Sequence, residues 1–211
     1  IKEKIVVKGA EDKEVELYYT LHGPVTYLNK KALKAFAVRC AWLEPGGSPY
    51  LASLRMDQAK NWEEFKFACS FSNIPGENMV WADREGNIGW QAVGIAPIRK
   101  TFSGLVPVPG NGSYEWGGYL PILEKPNSSN PEKGYIATAN QNITPSNYNR
   151  WDAIGYTWSD PYRGERIEEV LSRRNDFNMD DMRALQVDVT SLPARTLVPF
   201  LENISQNDFD K

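Results

Sequence analysis

Two runs at the start of the chain, Ile1 to Val7 and Glu14 to Tyr19, alternate or cluster β-branched and aromatic residues around Gly9-Ala10-Glu11-Asp12-Lys13. Runs of this kind joined by a Gly-containing turn predict a hairpin, which Leu21-His22-Gly23-Pro24-Val25 follows. Leu33 to Trp42 predicts a further strand with Phe36, Val38 and Cys40 on one face, ended by Glu44-Pro45-Gly46-Gly47-Ser48-Pro49. The period changes between Tyr50 and Ser70. Asn61 is a good N-cap, and Trp62, Phe65 and Cys69 recur at spacings of three and four, predicting a helix that lies on a sheet. Alternation returns from Asn78 to Gly94, where Met79-Val80-Trp81-Ala82 and Ile88-Gly89-Trp90-Gln91-Ala92 flank Asp83-Arg84-Glu85-Gly86-Asn87. That turn is rich in residues tolerant of positive φ, and it marks the clearest hairpin of the chain.

Between Pro97 and Pro131, Pro, Gly, Ser and Asn are dense around Trp116 and Tyr119, which predicts a long connection anchored by aromatics. Such loops often wall functional sites. A short apolar strand is expected at Tyr135-Ile136-Ala137-Thr138-Ala139, then a polar stretch to Trp158, then helices at about 163–173 and 179–187. The chain therefore reads as one α+β unit: strands plus one helix over 1–95, a long loop over 96–134, and a strand followed by helices over 135–211. No internal repeat or low-complexity tract interrupts it.

Composition narrows the function. The 211 residues are 41% hydrophobic and 12% aromatic, enough to bury a core. The 24 basic and 27 acidic side chains are interspersed, so no basic stripe is available for a nucleic-acid backbone. No apolar run approaches the roughly 20 residues needed to span a bilayer. The chain opens at Ile1 without an initiator Met and ends in Gln206-Asn207-Asp208-Phe209-Asp210-Lys211 with no finishing motif, so both ends read as cut and a leader could lie upstream. Cys40 and Cys69 belong to no Cys-x-x-Cys pair and read as small hydrophobes, although one disulfide is open to them.

There is a single histidine, so a Ser-His-Asp or Cys-His mechanism would have to use His22, and a His-rich metal site is excluded within the chain. A His22 imidazole hydrogen-bonded beside the Gly23-Pro24 turn is the favoured reading. Pro109-Gly110-Asn111-Gly112-Ser113 lacks the Lys-Ser/Thr of a phosphate loop and reads as a tight turn. The carboxylate pairs Glu63-Glu64, Glu168-Glu169 and Asp180-Asp181 are expected at helix starts or on solvent faces, with no chemistry.

Several separated segments resemble, in order, the penicillin acylase family of N-terminal-nucleophile hydrolases. They are Leu21-His22-Gly23-Pro24-Val25, Ala59 through Phe65, Trp81 through Gly89, Val106-Pro107-Val108-Pro109-Gly110-Asn111-Gly112, Asn130 through Asn140, Trp158 through Ile167, and Met182 through Ser191. Each alone is weak; together they cover most of the chain. The resemblance implies a portion of an αββα sandwich and an amidohydrolase that cleaves its own precursor, exposing a serine as the first residue of its larger chain. In such enzymes the serine's α-amino group acts as general base, which would explain a chain with only one histidine. No candidate for that serine stands here, since the chain begins Ile1-Lys2, so the nucleophile is expected upstream and the fragment alone is expected to be inactive.

By motif position Asn140 resembles the family's oxyanion-hole asparagine, with Gln141 and Asn142 as competitors; the bland alternative is a turn former. Arg163 resembles the arginine that orients that asparagine and the serine. Its alternatives are an ion pair with Asp160 or a nearby Glu, or exchange of roles with Arg166. Some relatives hold a structural calcium. Asp152 falls at the matching position between Trp151 and Trp158, and Gly104 could offer a carbonyl, with the remaining carboxylates expected upstream. The partners implied are the rest of the same precursor and a small-molecule amide, such as the acyl side chain of a β-lactam or an acyl-homoserine lactone. Two rivals stand beside this reading. One is a binding module for sugars or peptides built on the 7 Trp and 10 Tyr; the other is an acylase relative that has lost its activity.

Overall fold

The first hairpin forms where the alternation places it. Strand β1 (Lys2–Ile5) pairs antiparallel with β2 (Lys13–Glu16), Lys2 opposite Glu16 and Ile5 opposite Lys13. The computed structural model describes residues 1–48, 50–201 and 204. Pro49, the last residue of the expected 44–49 turn, and the terminal 206–211 segment lie outside the described residues.

A three-stranded sheet follows from β3 (Tyr19–Thr20), β4 (Gly23–Asn29) and β5 (Lys34–Ala37), with β4 central. The strand expected over Leu33 to Trp42 is thus only four residues long. Leu33 is spent on the turn, with φ at 50°, and after Val38 N–H bonds to Pro24 O the chain winds into one 3₁₀ turn at Ala41–Leu43.

The single helix expected between Tyr50 and Ser70 is two, α1 (Ser53–Met56) and α2 (Trp62–Cys69). Asn61 explains the break: its backbone is extended (φ −153°), and its side chain accepts from Glu64 N–H at 2.9 Å while Glu64 Oε2 accepts from Lys60 N–H at 2.9 Å. A residue that caps one helix cannot continue another.

Strands β6 (Asn78–Ala82) and β7 (Ile88–Ala92) form the expected hairpin, Asn78 opposite Ala92 and Ala82 opposite Ile88, with Gly86 in the left-handed region (φ 87°). Helix α2 lies across this hairpin. Its buried Phe65, Ala68 and Cys69 join Ala52, Met56, Val93 and Ile122 in the main core, with Trp62, Met79 and Trp81 packed against it. The Phe65 and Trp81 rings sit 5.2 Å apart, a contact that adds about 1 kcal/mol to the burial of either ring. Cys69 is fully enclosed, and burial pushes its thiol up to about 12. Cys40 is half-buried, and both cysteines are free thiols.

The long connection is more structured than its composition implies. β8 (Ala96–Pro97) pairs with β9 (Tyr119–Leu120), a 3₁₀ turn covers Ile122–Glu124, and β10 (Asn127–Ser129) adds a third strand to β7. Asn-Ser-Ser has little intrinsic strand preference, so its extended state comes from pairing with β7. The last third is helical: α3 (Tyr162–Leu171), α4 (Met179–Gln186) and α5 (Leu192–Leu201). Asn178 caps α4 with a complete capping box to Asp181, and Glu169 on α3 takes Arg195 of α5 at 3.2 Å. Helix α5 was not expected. Pro193 suits a first turn, whereas Pro199 inside the helix masks its pattern.

Candidate functional site

The segment 135–139, expected to be a strand, pairs with no strand among the described residues. Side chains take the place of a ladder. Ala139 N–H donates to Gln141 Oε1 at 2.6 Å, Gln141 Nε2 reaches Ala137 O at 3.4 Å, Asn78 Nδ2 donates to Thr138 Oγ1 at 3.0 Å, and Arg163 Nη2 donates to Ala139 O at 2.8 Å. Ala137 and Ala139 are buried beneath this web.

Immediately after it, Asn140 adopts φ 67°, a left-handed conformation that Asn tolerates better than most residues. Its backbone carbonyl accepts from Ser159 N–H at 2.9 Å, and its side-chain Oδ1 accepts from Arg163 Nη2 at 2.9 Å. The second contact orients the amide. A guanidinium can only donate, so the atom facing Arg163 is the oxygen, and the Nδ2 amino group with its two N–H donors points elsewhere. One nitrogen of Arg163 thereby fixes both the turn, through Ala139 O, and the amide, through Asn140.

The competitors are separated by what they touch. Arg166 is engaged by Asp188 at 2.7 Å and Glu169 at 3.1 Å, leaving Arg163 as the arginine on Asn140. Asp160 accepts from Tyr162 N–H and forms no pair with Arg163, and Gln141 is spent on pinning the Ala137–Ala139 backbone. Asp188, held by Arg166 and by Thr190 N–H, has its carboxyl far below the usual carboxylate range.

Gly164, next to Arg163, lets α3 come this close. A Cβ there would stand 2.6 Å from Gln141 Cδ and 2.7 Å from its Nε2. Sequence reasoning passed over this glycine, although an isolated Gly inside a helical pattern is itself a sign of close packing.

Asn140 and Gln141 line a cavity of about 560 Å³ whose other walls include Trp90, Ile143, Ile154 and Trp158. The remaining expected site residues lie near Arg99. Arg99 N–H donates to Asp152 O at 2.7 Å, and a Cβ on Gly104 would stand 2.6 Å from Arg99 Nη1. The Asp152 carboxylate accepts from Arg150 Nε at 3.2 Å. No group of three or more potential metal-ligating side chains occurs among the described residues. One carboxylate already paired with a guanidinium does not by itself fit calcium, which takes six to eight oxygens. His22 is held by Glu115, Nε2 to Oε1 at 2.6 Å, and Glu115 also takes Arg39 at 3.1 Å; the imidazole thus ties the Leu21–Pro24 turn to the long loop. Of the paired carboxylates, Glu64 and Asp181 serve helix starts, while Glu168 binds Lys133 and Tyr135.

The mixed α+β fold is that of an N-terminal-nucleophile hydrolase. The structure matches a thermostable penicillin G acylase from Alcaligenes faecalis with a TM-score of 0.78 and 26% identity, over 99% of this chain and 38% of that one. The penicillin amidase family model matches residues 1–211, and the chain belongs to that family. It is 29% identical over 180 residues to penicillin G acylase of Escherichia coli, covering 85% of this chain and 21% of that protein. It is 32% identical over 204 residues to an acyl-homoserine lactone acylase, QuiP, of Pseudomonas fluorescens, covering 95% of this chain and 25% of that protein. The chain spans about a quarter of the length of these curated relatives.

Proposed function

We propose that these residues form part of an acylase that hydrolyses a linear amide through an N-terminal serine supplied upstream, and that Asn140 and Arg163 are its oxyanion donor and the residue that positions it. The observation carrying this reading is the 2.9 Å bond from Arg163 to Asn140 Oδ1, which leaves Nδ2 as a preoriented donor beside a ligand-sized cavity. The serine Oγ attacks the amide carbonyl carbon and its proton passes to the serine's own α-amine, whose unperturbed pKa is near 8. The carbonyl oxygen becomes an oxyanion facing Nδ2. As the C–N bond breaks, the proton moves to the leaving amine, and water then hydrolyses the acyl-serine ester.

Fixed donors matter most where charge develops, and removing one from an oxyanion hole costs about 10²–10³ in kcat. The partner of the fragment is the rest of its precursor, consistent with the large apolar side chains it leaves bare: Leu21, Leu33 and Val189 are 92%, 91% and 95% exposed. Calcium enters this reading only if further carboxylates from a longer chain join Asp152 and displace its pairing with Arg150.

The test uses the full-length protein. Intact mass spectrometry should find two chains, the larger beginning with Ser, and Asn140→Ala should lower kcat on an N-acyl-4-nitroanilide by about 10²–10³ while leaving the cleavage into chains in place. An uncleaved single chain, or an Asn140→Ala enzyme at wild-type rate, refutes the assignment.

A further inference from the structure

The cavity that Asn140 lines contains one ionisable side chain, Lys125. It follows the 3₁₀ turn Ile122–Glu124, and its Nζ donates to Val93 O at 2.5 Å and to Gly94 O at 2.9 Å. Two of the three ammonium donors are therefore committed to the backbone just beyond β7, and the third has no partner among the described residues. No carboxylate among them lies within salt-bridge distance of Nζ, whereas Arg166, for example, is paired with Asp188. The rest of the wall is neutral and largely apolar, with Trp90, Ile143, Ile154 and Trp158 prominent. A cation without a counter-ion in such surroundings attracts an anionic ligand more strongly than a lysine at the surface does, because little water screens it.

We propose that Lys125 is a specificity-determining residue that makes this cavity select amides carrying a carboxylate remote from the bond to be cleaved. The proposal rests on the reading of Asn140 as part of the hydrolytic site, since it is their shared cavity that brings the carboxylate and the amide into one ligand. Lys125 itself takes no part in bond breaking. Its ammonium pairs with the ligand carboxylate through the third N–H, while the Val93 and Gly94 carbonyls hold the side chain in place.

Three amides decide it on the full-length processed enzyme: pentanoyl-4-nitroanilide, which is neutral; glutaryl-4-nitroanilide, with the carboxylate on the acyl half; and the pentanoyl amide of 5-amino-2-nitrobenzoate, with the carboxylate on the amine half. The wild type should prefer one of the charged amides in kcat/KM, and which one identifies the half that faces Lys125. Lys125→Met should lower the charged-to-neutral ratio by roughly 10–100-fold, whereas Lys125→Arg, which keeps the charge, should retain most of it. A wild type without preference, or a Lys125→Met ratio equal to wild type, overturns the proposal, and so does a uniform loss on all three amides, which marks a structural lysine. Should Lys125→Met fail to fold, Lys125→Gln, which keeps one donor for the carbonyls, is read in the same way. If the wild type hydrolyses none of the three, the amidase reading falls, and titration with glutarate against glutaramide then decides Lys125 alone: a glutarate preference lost in the variant supports it, and equal binding overturns it.

Discussion

Replacing Gly164 by alanine tests whether the close approach of α3 is what aims Arg163 at Asn140. The new Cβ would stand 2.6 Å from Gln141 Cδ, about 0.8 Å (3.4 minus 2.6 Å) short of ordinary contact. Gln141 can swing aside only by giving up its bonds to Ala139 N–H and Ala137 O, at about 1 kcal/mol each. Otherwise α3 must retreat by most of an ångström, at an overpacking cost of about 1–3 kcal/mol. Against either route stands a gain of at most about 1 kcal/mol from Ala over Gly in a helix. The net loss of stability is therefore small, about 0–2 kcal/mol. The loss of geometry is not, because both routes disturb the Ala139–Asn140 turn or the arginine that holds it, and a displacement near 1 Å can cost about 10²-fold in rate. Urea denaturation and kcat/KM on a 4-nitroanilide amide, measured on the full-length enzyme, should thus part company: a modest shift in midpoint with a rate reduced by roughly two orders of magnitude. A double-mutant cycle with Gln141→Ala, which clears the space, should show coupling of about 1 kcal/mol or more. Additive effects, or a Gly164→Ala enzyme that is more stable and equally active, would refute the reasoning.

Burial lowers Lys125 from 10.5 to about 8, so between those two pH values the unfolded chain holds a proton that the folded chain has released, and stability should rise with pH across that window. The wild type should gain up to roughly 3 kcal/mol relative to Lys125→Met between pH 8 and 10.5 in urea titrations, with parallel profiles counting against it. Asn61→Ala removes the cap that starts α2 and should cost about 1–2 kcal/mol, a fall of several degrees in the melting temperature read by circular dichroism; an unchanged melting temperature would mean the cap is dispensable. Phe65→Ala empties the centre of the α2–β6–β7 core and should cost about 3–5 kcal/mol in the same assay, with a loss below 1 kcal/mol placing the core elsewhere.

What could be read in advance follows the range of the forces involved. The β6–β7 hairpin was legible because alternation and the Asp83–Asn87 turn act within a few residues, and Asn61 announced α2 because a cap acts on the next three. What escaped depends on partners distant in the chain. β10 is a strand because β7 offers an edge, and 135–139 is not one: side chains of Gln141 and Arg163 take up its Ala137–Ala139 backbone groups, and Asn78 holds its Thr138 hydroxyl. Asn140 and Arg163 were nameable only by resemblance, since Asn in a turn and Arg at a helix start are commonplace. Their relation was named by the same resemblance, but the geometry behind it was not legible: it needs the left-handed turn at Asn140, the buried Gly164 that admits Gln141, and an Arg166 already engaged by Asp188. Lys125 shows the same limit from the other side. Nothing in Glu124-Lys125-Pro126 marks its ammonium as different from the other lysines, and only the fold, by setting it in one cavity with Trp90, Ile154 and Trp158 and withholding a carboxylate, turns a common surface residue into a candidate for choosing the ligand.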